Sequence, residues 1–161
     1  MAIEYISYLR KKIGHDRCLS VGLTSVIADE EGRILLEKRS DNGKYCLPGG
    51  SIDLDETVLE GARREVEEET GIRLEELRLF YIRSGKKNQL AYPNGDVTDY
   101  VDLVFSSEVN SHDIHLAIRD GESLSLGFYR KEELPDPSLF LRGTEDVLKV
   151  YFAHKDEVVI D

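Results

Sequence analysis

Residues 50–72 read GSIDLDETVLEGARREVEEETGI and place a run of glutamates close to the end of a predicted helix. Apolar residues recur there at helical spacing, which predicts a helix over 55–70 with one face against a sheet. That apolar face comprises Val58, Leu59, Ala62 and Val66. We expect Asp55 to cap the helix and Gly71 to end it. The helix macrodipole and mutual repulsion both disfavour carboxylates near Gly71, so the glutamates need a further explanation.

The spacing of these glutamates predicts that three of them share one edge of the helix. Glu65, Glu68 and Glu69 are expected to converge beside the apolar face, since residues three and four positions apart are neighbours on a helix. Glu67 is expected to face solvent, and Glu60 to pair with a neighbouring arginine. Converging carboxylates suit Mg²⁺ or Mn²⁺, which prefer oxygen ligands. By spacing alone, a solvated and charged surface explains the three glutamates equally well.

The whole segment resembles the signature of the Nudix hydrolases (MutT-like), G-x5-E-x7-R-E-U-x-E-E-x-G-U, in which U is a bulky aliphatic residue. Every fixed position of the signature is matched: Gly50, Glu56, Arg64, Glu65, Val66, Glu68, Glu69, Gly71 and Ile72. The LPGG that leads into the segment, the preceding hairpin and the later strands are also similar to the family. The resemblance therefore covers most of the chain, although its specificity lies in the signature.

This resemblance implies hydrolysis of a nucleoside diphosphate linked to another moiety, such as a nucleotide sugar like ADP-ribose, or of a modified nucleoside triphosphate. It also implies Mg²⁺ or Mn²⁺ as the cofactor. By matching position, the metal ligands would be the Gly49 carbonyl, Glu65, Glu68 and Glu69. Glu65 or Glu68 would also polarise the attacking water, and Arg64 would orient Glu65 through a charge-assisted bond.

Members of the family often take a further catalytic acid from outside the signature. Glu122, just before a late strand, is the first candidate for this role. Asp99 and Asp102 on an earlier strand are weaker alternatives, and each of the three is also explained as an ordinary acid that faces solvent. Glu56 stands at the helix start, where a carboxylate favours the macrodipole, and is expected to be structural.

The candidate substrate contacts are three residues outside the signature. Arg17 and Arg39 are candidate phosphate ligands, and Tyr92 is a candidate for stacking on a base. Single arginines are more often surface residues, and aromatic residues on strands are more often part of a core. ADP-sugar hydrolases of the family typically carry a proline some way beyond the signature, where this chain has Lys87 and Asn88. The sequence therefore does not favour ADP-ribose over other substrates.

Helical and strand patterns alternate along the chain. Helices are expected over 3–12, 55–70 and 144–154, and strands over 18–29, 33–39, 77–84, 96–105 and 123–129. Interleaving of this kind predicts an α/β fold in which a mixed β-sheet is sandwiched between helices (α/β/α), as in the Nudix fold. We expect a single domain over 1–161.

The amino-acid composition limits the kinds of binding partner and the cellular compartment that we expect. The net charge of −11, from 21 basic and 32 acidic residues, argues against nucleic acid as a partner and favours a small molecule held through cations. The sequence shows no apolar run of the length of a membrane span or a signal peptide, and two cysteines do not make a disulfide framework. A cytoplasmic protein is therefore expected. No residue pattern argues for a homodimer, which we nevertheless expect.

Two other functions stay open at this stage. A protein of this fold that senses nucleotides without turnover would not need to retain every glutamate of the signature. Isomerisation of an isoprenyl diphosphate, found in relatives of the fold, would need a catalytic cysteine and further acids in a different pattern. The complete signature favours hydrolysis over both.

Overall fold

The computed structural model describes residues 5–92, 94–118 and 121–161. Within these ranges the α-helices are α1 (Tyr5–Ile13), α2 (Val58–Thr70) and α3 (Thr144–His154). The β-strands are β1 (Cys18–Ala28), β2 (Ile34–Arg39), β3 (Tyr45–Cys46), β4 (Gly49–Ser51), β5 (Arg78–Arg83), β6 (Gln89–Ala91), β7 (Val97–Glu108), β8 (Ser123–Tyr129) and β9 (Val159–Ile160). The described helices are all too short or too polar to cross a bilayer.

All of the described strands join one mixed sheet in the order β3-β2-β1-β7-β5-β9. The three remaining strands extend it, since β4 pairs with β1, β6 with β7 and β8 with β2. Strands β1 and β7 run parallel along the centre of the sheet, from Cys18 opposite Thr98 to Ala28 opposite Glu108. Both faces of such a central pair must be covered, because few of its side chains reach solvent.

The side chains of β1 alternate between two cores, as the two-residue period of a strand requires. Val26 packs in a cluster with residues of α3, including Val147 and Tyr151. Ile27 packs on the opposite face with Val66 of α2. Helices α2 and α3 therefore cover opposite faces of the sheet, which confirms the predicted α/β/α arrangement.

The N-cap of helix α2 lies two residues after the predicted one. Thr57, not Asp55, is the N-cap, and its hydroxyl accepts a hydrogen bond from the Glu60 amide at 3.3 Å. Glu60 in turn accepts a hydrogen bond from the Thr57 amide at 2.8 Å, which completes a capping box. The hydrogen bonds of Glu60 thus go to Thr57, and the predicted neighbour Arg63 acts on its carboxylate through charge. Gly71 ends the helix with a φ of 77°, as predicted.

The other predicted elements agree with the structure in type, and the strands predicted over 18–29, 33–39, 77–84 and 96–105 differ from β1, β2, β5 and β7 by one to three residues at the ends. The strand predicted over 123–129 and the helix over 144–154 are confirmed, whereas the first residues of the helix predicted over 3–12 lie outside the described residues. Leu59 was wrongly placed on the buried face of α2, since it is 38% exposed. Strands β3, β4, β6 and β9 are only two or three residues long, too short to show a period in the sequence.

Candidate functional site

The site starts where β4 packs between β1 and α2. Gly49 and Gly50 pair with Thr24 and Leu23 of β1. A Cβ atom on Gly49 would lie 2.1 Å from the Leu23 carbonyl oxygen, and one on Gly50 would lie 2.4 Å from the carboxylate of Glu65. Both distances are far below van der Waals contact. The paired glycines therefore let the backbone of β4 approach β1 on one side and the end of α2 on the other.

A cluster around one arginine occupies the space beside β4. We name it the Arg64 cluster and define it as Asp53, Glu56, Arg64, Glu65 and Glu68. The Arg64 guanidinium donates two hydrogen bonds to Glu56, at 3.0 and 2.8 Å. It also donates to Glu65 at 2.9 Å and to Glu68 at 3.3 Å. The bond to Glu65 is the contact that the family resemblance implied.

The loop before α2 fixes Arg64 from the other side. Ser51 accepts a hydrogen bond from Arg64 through its backbone carbonyl at 3.1 Å. Asp53 lies 3.7 Å from the guanidinium, and its amide donates to Glu56 at 2.7 Å. Hydrogen bonds from Arg64 lower the pKa of Glu56, which therefore stays ionised as the main partner of the arginine. Glu56 was expected at the start of the helix, whereas it lies before the N-cap Thr57 and holds Arg64.

The glutamates of α2 lie in different surroundings. Glu65 has a side chain that is 15% exposed, and its burial raises the pKa of the carboxyl group, although Arg64 opposes this effect. Glu69 is buried and accepts a hydrogen bond from the Gly49 amide at 2.8 Å. Glu68 is 58% exposed, and Glu67 pairs with Arg73 on the outer side of the helix.

The carboxylates of Glu65, Glu68 and Glu69 converge less closely than the helical spacing predicted. Within the described ranges, His, Cys, Asp and Glu side chains form no group of three or more that is arranged to hold a metal ion. Arg64 lies between Glu65 and Glu68, and Glu69 turns toward Gly49. The donor atoms are nevertheless hard oxygens. The Glu65 carboxylate lies where a Cβ atom on residue 50 would clash with it, so glycine at that position makes room for the carboxylate. The chemistry of these donors thus fits a hard divalent cation, whereas the side chains of Glu65, Glu68 and Glu69 are not gathered around one point in the structure.

The predicted substrate contacts are engaged elsewhere. Arg39 donates to Asp41 at 2.9 and 3.1 Å, and Arg17 donates to Asp99 at 2.8 Å. The Tyr92 hydroxyl lies 3.2 Å from that of Tyr100. Arg39 therefore contacts the loop after β2 and also interacts with Cys46 of β3, whereas Arg17 and Tyr92 contact residues of β7.

The acids proposed from outside the signature also lie apart from one another. Glu122 is exposed, and its carbonyl accepts a hydrogen bond from the Ser40 amide at 2.7 Å. Asp102 is not a solvent-facing acid: its side chain is 5% exposed and accepts a hydrogen bond from Arg83 at 2.8 Å. Asp99 is held by Arg17 and Gln89. Asp102 and Asp99 thus have structural partners.

Sequence reasoning missed Asp53 as a member of the cluster. Its position three residues after Gly50 gives no periodic signal, because the loop between β4 and α2 has no regular structure. The Thr57-x-x-Glu60 pattern, by contrast, was readable as a capping box and would have fixed the start of the helix.

A surface groove of about 830 Å³ lies away from the site. Its lining includes Arg63, Arg78, Glu108 and Tyr151 and contains none of Glu65, Glu68 and Glu69.

Comparison with known proteins identifies relatives of this chain. The NUDIX domain model matches residues 19–151. The chain is 54% identical over 56 residues to a MutT-like protein of Streptomyces ambofaciens, which covers 35% of this chain and 36% of that protein. It is 30% identical over 121 residues to the 8-oxo-dGDP phosphatase NUDT18 of Mus musculus, which covers 70% of this chain and 33% of that protein. The matched parts span about a third of the length of these relatives.

The solved structures agree with the family match. A MutT NUDIX hydrolase from Burkholderia pseudomallei superimposes with a TM-score of 0.66 and 30% identity, covering 81% of this chain and 96% of that chain. The overall fold of this chain is therefore similar to that of a NUDIX hydrolase of known structure. Helix α1 and strand β9 lie outside the residues that the family model matches.

Proposed function

Since the chain belongs to the NUDIX domain family, we propose that it hydrolyses a nucleoside diphosphate linked to another moiety and depends on Mg²⁺ or Mn²⁺. The observation that carries this proposal is the Arg64 cluster, in which Arg64 bonds the half-buried Glu65 at 2.9 Å next to the Gly49–Ser51 strand. The side chains of Glu65, Glu68 and Glu69 and the Gly49 carbonyl would hold the metal ion. When bound, the ion would neutralise pyrophosphate charge and acidify the attacking water.

The protein residues divide the remaining work. Arg64 orients Glu65, and Glu56 holds Arg64 by two hydrogen bonds. Burial raises the pKa of Glu65, so its carboxylate binds a proton more readily than an exposed glutamate does. Glu65 is therefore a candidate for taking the proton of the attacking water, and Glu68 is the second candidate by its position in the signature. Glu69 holds the start of strand β4 by accepting a hydrogen bond from the Gly49 amide.

The substrate of the proposed reaction is a small nucleotide derivative. The net charge of −11 supports a small molecule bound through cations over a nucleic acid. The mouse relative is named as an 8-oxo-dGDP phosphatase, which adds oxidised nucleoside diphosphates to the modified triphosphates and nucleotide sugars that the signature implies. Arg39, Arg17 and Tyr92 remain candidate contacts, and the two arginines would have to leave Asp41 and Asp99 to reach a phosphate.

Turnover across a substrate panel tests this proposal. Release of phosphate or nucleotide would be measured with Mg²⁺ and, separately, with Mn²⁺ on ADP-ribose, other nucleotide sugars, dinucleoside polyphosphates, and ordinary and oxidised nucleoside di- and triphosphates. EDTA supplies the blank. Metal-dependent release from one class of substrate is the expected result. A folded protein that binds Mn²⁺ and turns over none of these compounds would instead be a nucleotide sensor.

A further inference from the structure

Helix α1 precedes the residues that the family model matches, yet it contacts the loop that holds Arg64. We propose that Asp53 is a positioning residue that links α1 to Arg64, and that α1 thereby belongs to the catalytic assembly of this chain. The inference rests on the proposed hydrolase function and adds to it a residue and a helix outside the signature's fixed positions.

The two oxygens of Asp53 face two different partners. Oδ1 accepts a hydrogen bond from the backbone amide of Tyr5, the first described residue of α1, at 2.7 Å. Oδ2 lies 3.7 Å from the Arg64 guanidinium. The Asp53 side chain is only 11% exposed, so its attraction to Arg64 is weakly screened. One carboxylate therefore joins the start of α1 to the arginine that orients Glu65.

The other end of α1 is fixed to the sheet. The Arg10 guanidinium donates to the Val97 carbonyl at 3.0 Å and to the Thr98 hydroxyl at 2.7 Å. Its side chain is 13% exposed, although α1 contains no fully buried residue. Polar contacts at its two ends thus hold α1 across the molecule, from the beginning of β7 to the loop before α2.

This arrangement predicts which kinetic constant depends on α1. Arg64 donates hydrogen bonds to Glu56, Glu65 and Glu68, and Asp53 is the fourth carboxylate beside it. If Asp53 loses the Tyr5 amide, the guanidinium and Glu65 can shift together. Glu65 is proposed to act on the reacting water and the metal, not on the nucleoside, so the effect should fall on kcat more than on KM.

A proline substitution removes the link with little other change. Tyr5→Pro deletes the amide hydrogen, and proline is tolerated in the first turn of a helix. Tyr5→Ala is the matched comparison, because both variants lose the phenol and only the first loses the N–H. We expect kcat of Tyr5→Pro to be about three- to tenfold below that of Tyr5→Ala, with KM within about twofold, since small displacements of a reacting group cost rate.

Combining substitutions separates positioning from general damage. In an Asp53→Ala background the acceptor is absent, so Tyr5→Pro should then lower kcat no further than Tyr5→Ala does. Asp53→Asn keeps an oxygen for the Tyr5 amide but removes the charge beside Arg64, and it should lower kcat in a protein that retains α1. Asp55→Asn, on the same loop and exposed, is its control. Equal kcat for Tyr5→Pro and Tyr5→Ala, or for Asp53→Asn and Asp55→Asn, would overturn the proposal.

Hydrogen exchange decides the question without turnover. The Asp53 amide donates to Glu56, so its exchange rate reports whether the loop is held. We expect faster exchange at Asp53 in Tyr5→Pro than in Tyr5→Ala, and equal rates would refute the link. If the wild-type protein turned over no substrate, the proposed function would fail, while this exchange comparison would still support or refute the connection between α1 and the Arg64 cluster.

Discussion

A Cβ atom on Gly50 would lie 2.4 Å from the carboxylate of Glu65. The atom that it would meet is the end of a side chain, so Gly50→Ala can keep the fold by displacing the carboxylate. That displacement would break the 2.9 Å bond with Arg64. We expect kcat to fall by about 100-fold, since a shift of an ångström at a reacting group has this effect, with the melting temperature nearly unchanged.

Gly127→Ala is the control for this substitution. Gly127 lies on β8, where a Cβ atom would be 3.3 Å from the Tyr129 ring, a contact that a small adjustment relieves. Its turnover should stay close to that of the wild-type protein. Similar losses of kcat in both variants would show that the Gly50–Glu65 contact has no special role in the site.

Arg64→Met should raise the pKa of Glu65 further. Burial already raises this pKa, and the charge and hydrogen bond of Arg64 oppose the increase. A carboxyl group with a raised pKa holds its proton more tightly in the folded protein than in the unfolded chain. Its contribution therefore weakens folding as the pH rises from the ordinary glutamate pKa through the folded value. Titration of the metal-free protein by carbon-13 NMR would measure the shift.

Arg63→Met is the matched control for Arg64→Met. Arg63 is the preceding residue and donates to the Leu74 and Glu75 carbonyls at 3.1 and 2.9 Å, on the far side of the helix end. Arg63→Met should therefore leave the pKa of Glu65 unchanged. An unchanged Glu65 titration in Arg64→Met would contradict the assignment of Arg64 as its partner.

Glu69→Gln and Glu67→Gln compare two neighbouring faces of α2. The first change removes a charge from a buried side chain that can still accept the Gly49 amide through its remaining oxygen. We expect loss of metal-dependent turnover and weaker Mn²⁺ binding, measured by calorimetry, with an intact fold. Glu67 bonds Arg73 on the outside of the helix, so Glu67→Gln should keep turnover and Mn²⁺ binding. Equal damage from both would refute the division of the helix into two faces.

The sequence alone predicted the architecture because its long elements carry clear periods. The apolar spacing of the α2 segment identified Val66 on the buried face, and the β-branched residues of the run from Cys18 to Ala28 indicated a strand, whose side chains pack in cores on both faces of the sheet. The start of α2 was misplaced because Asp55 and Thr57 are both residue types that cap helices, and only the reciprocal bond with Glu60 separates them.

The site was predictable only where it is local. Arg64 and Glu65 are adjacent in the chain, and the signature implied their bond. Asp53 and Tyr5 are 48 positions apart, and their contact depends on where α1 lies on the finished fold. Asp102 was a candidate catalytic acid with an exposed acid as the alternative, because one residue of a strand does not reveal which face it occupies. Its partner Arg83 comes from a neighbouring strand.

Asp102→Asn should destabilise the protein more than it alters catalysis. The Asp102 carboxylate accepts hydrogen bonds from Thr24 and Arg83, and Arg83 also donates to the Gly143 carbonyl at the start of α3. Removing the charge leaves Arg83 uncompensated in a largely buried position, which costs about 3 kcal/mol in comparable pairs. The free energy of unfolding in urea would measure this loss. Asp99→Asn, in an exposed pair with Arg17, should change it far less.

Glu122→Gln should have the opposite effect to Asp102→Asn. Its side chain is exposed, so the free energy of unfolding should hardly change. If Glu122 supplies the catalytic acid from outside the signature, kcat should fall by about 100-fold or more, the usual range for a general acid or base. Urea unfolding and turnover measured on both variants separate the two roles. If Asp102→Asn were fully folded and lost most of its kcat, while Glu122→Gln lost none, the catalytic acid would be assigned to Asp102 on β7.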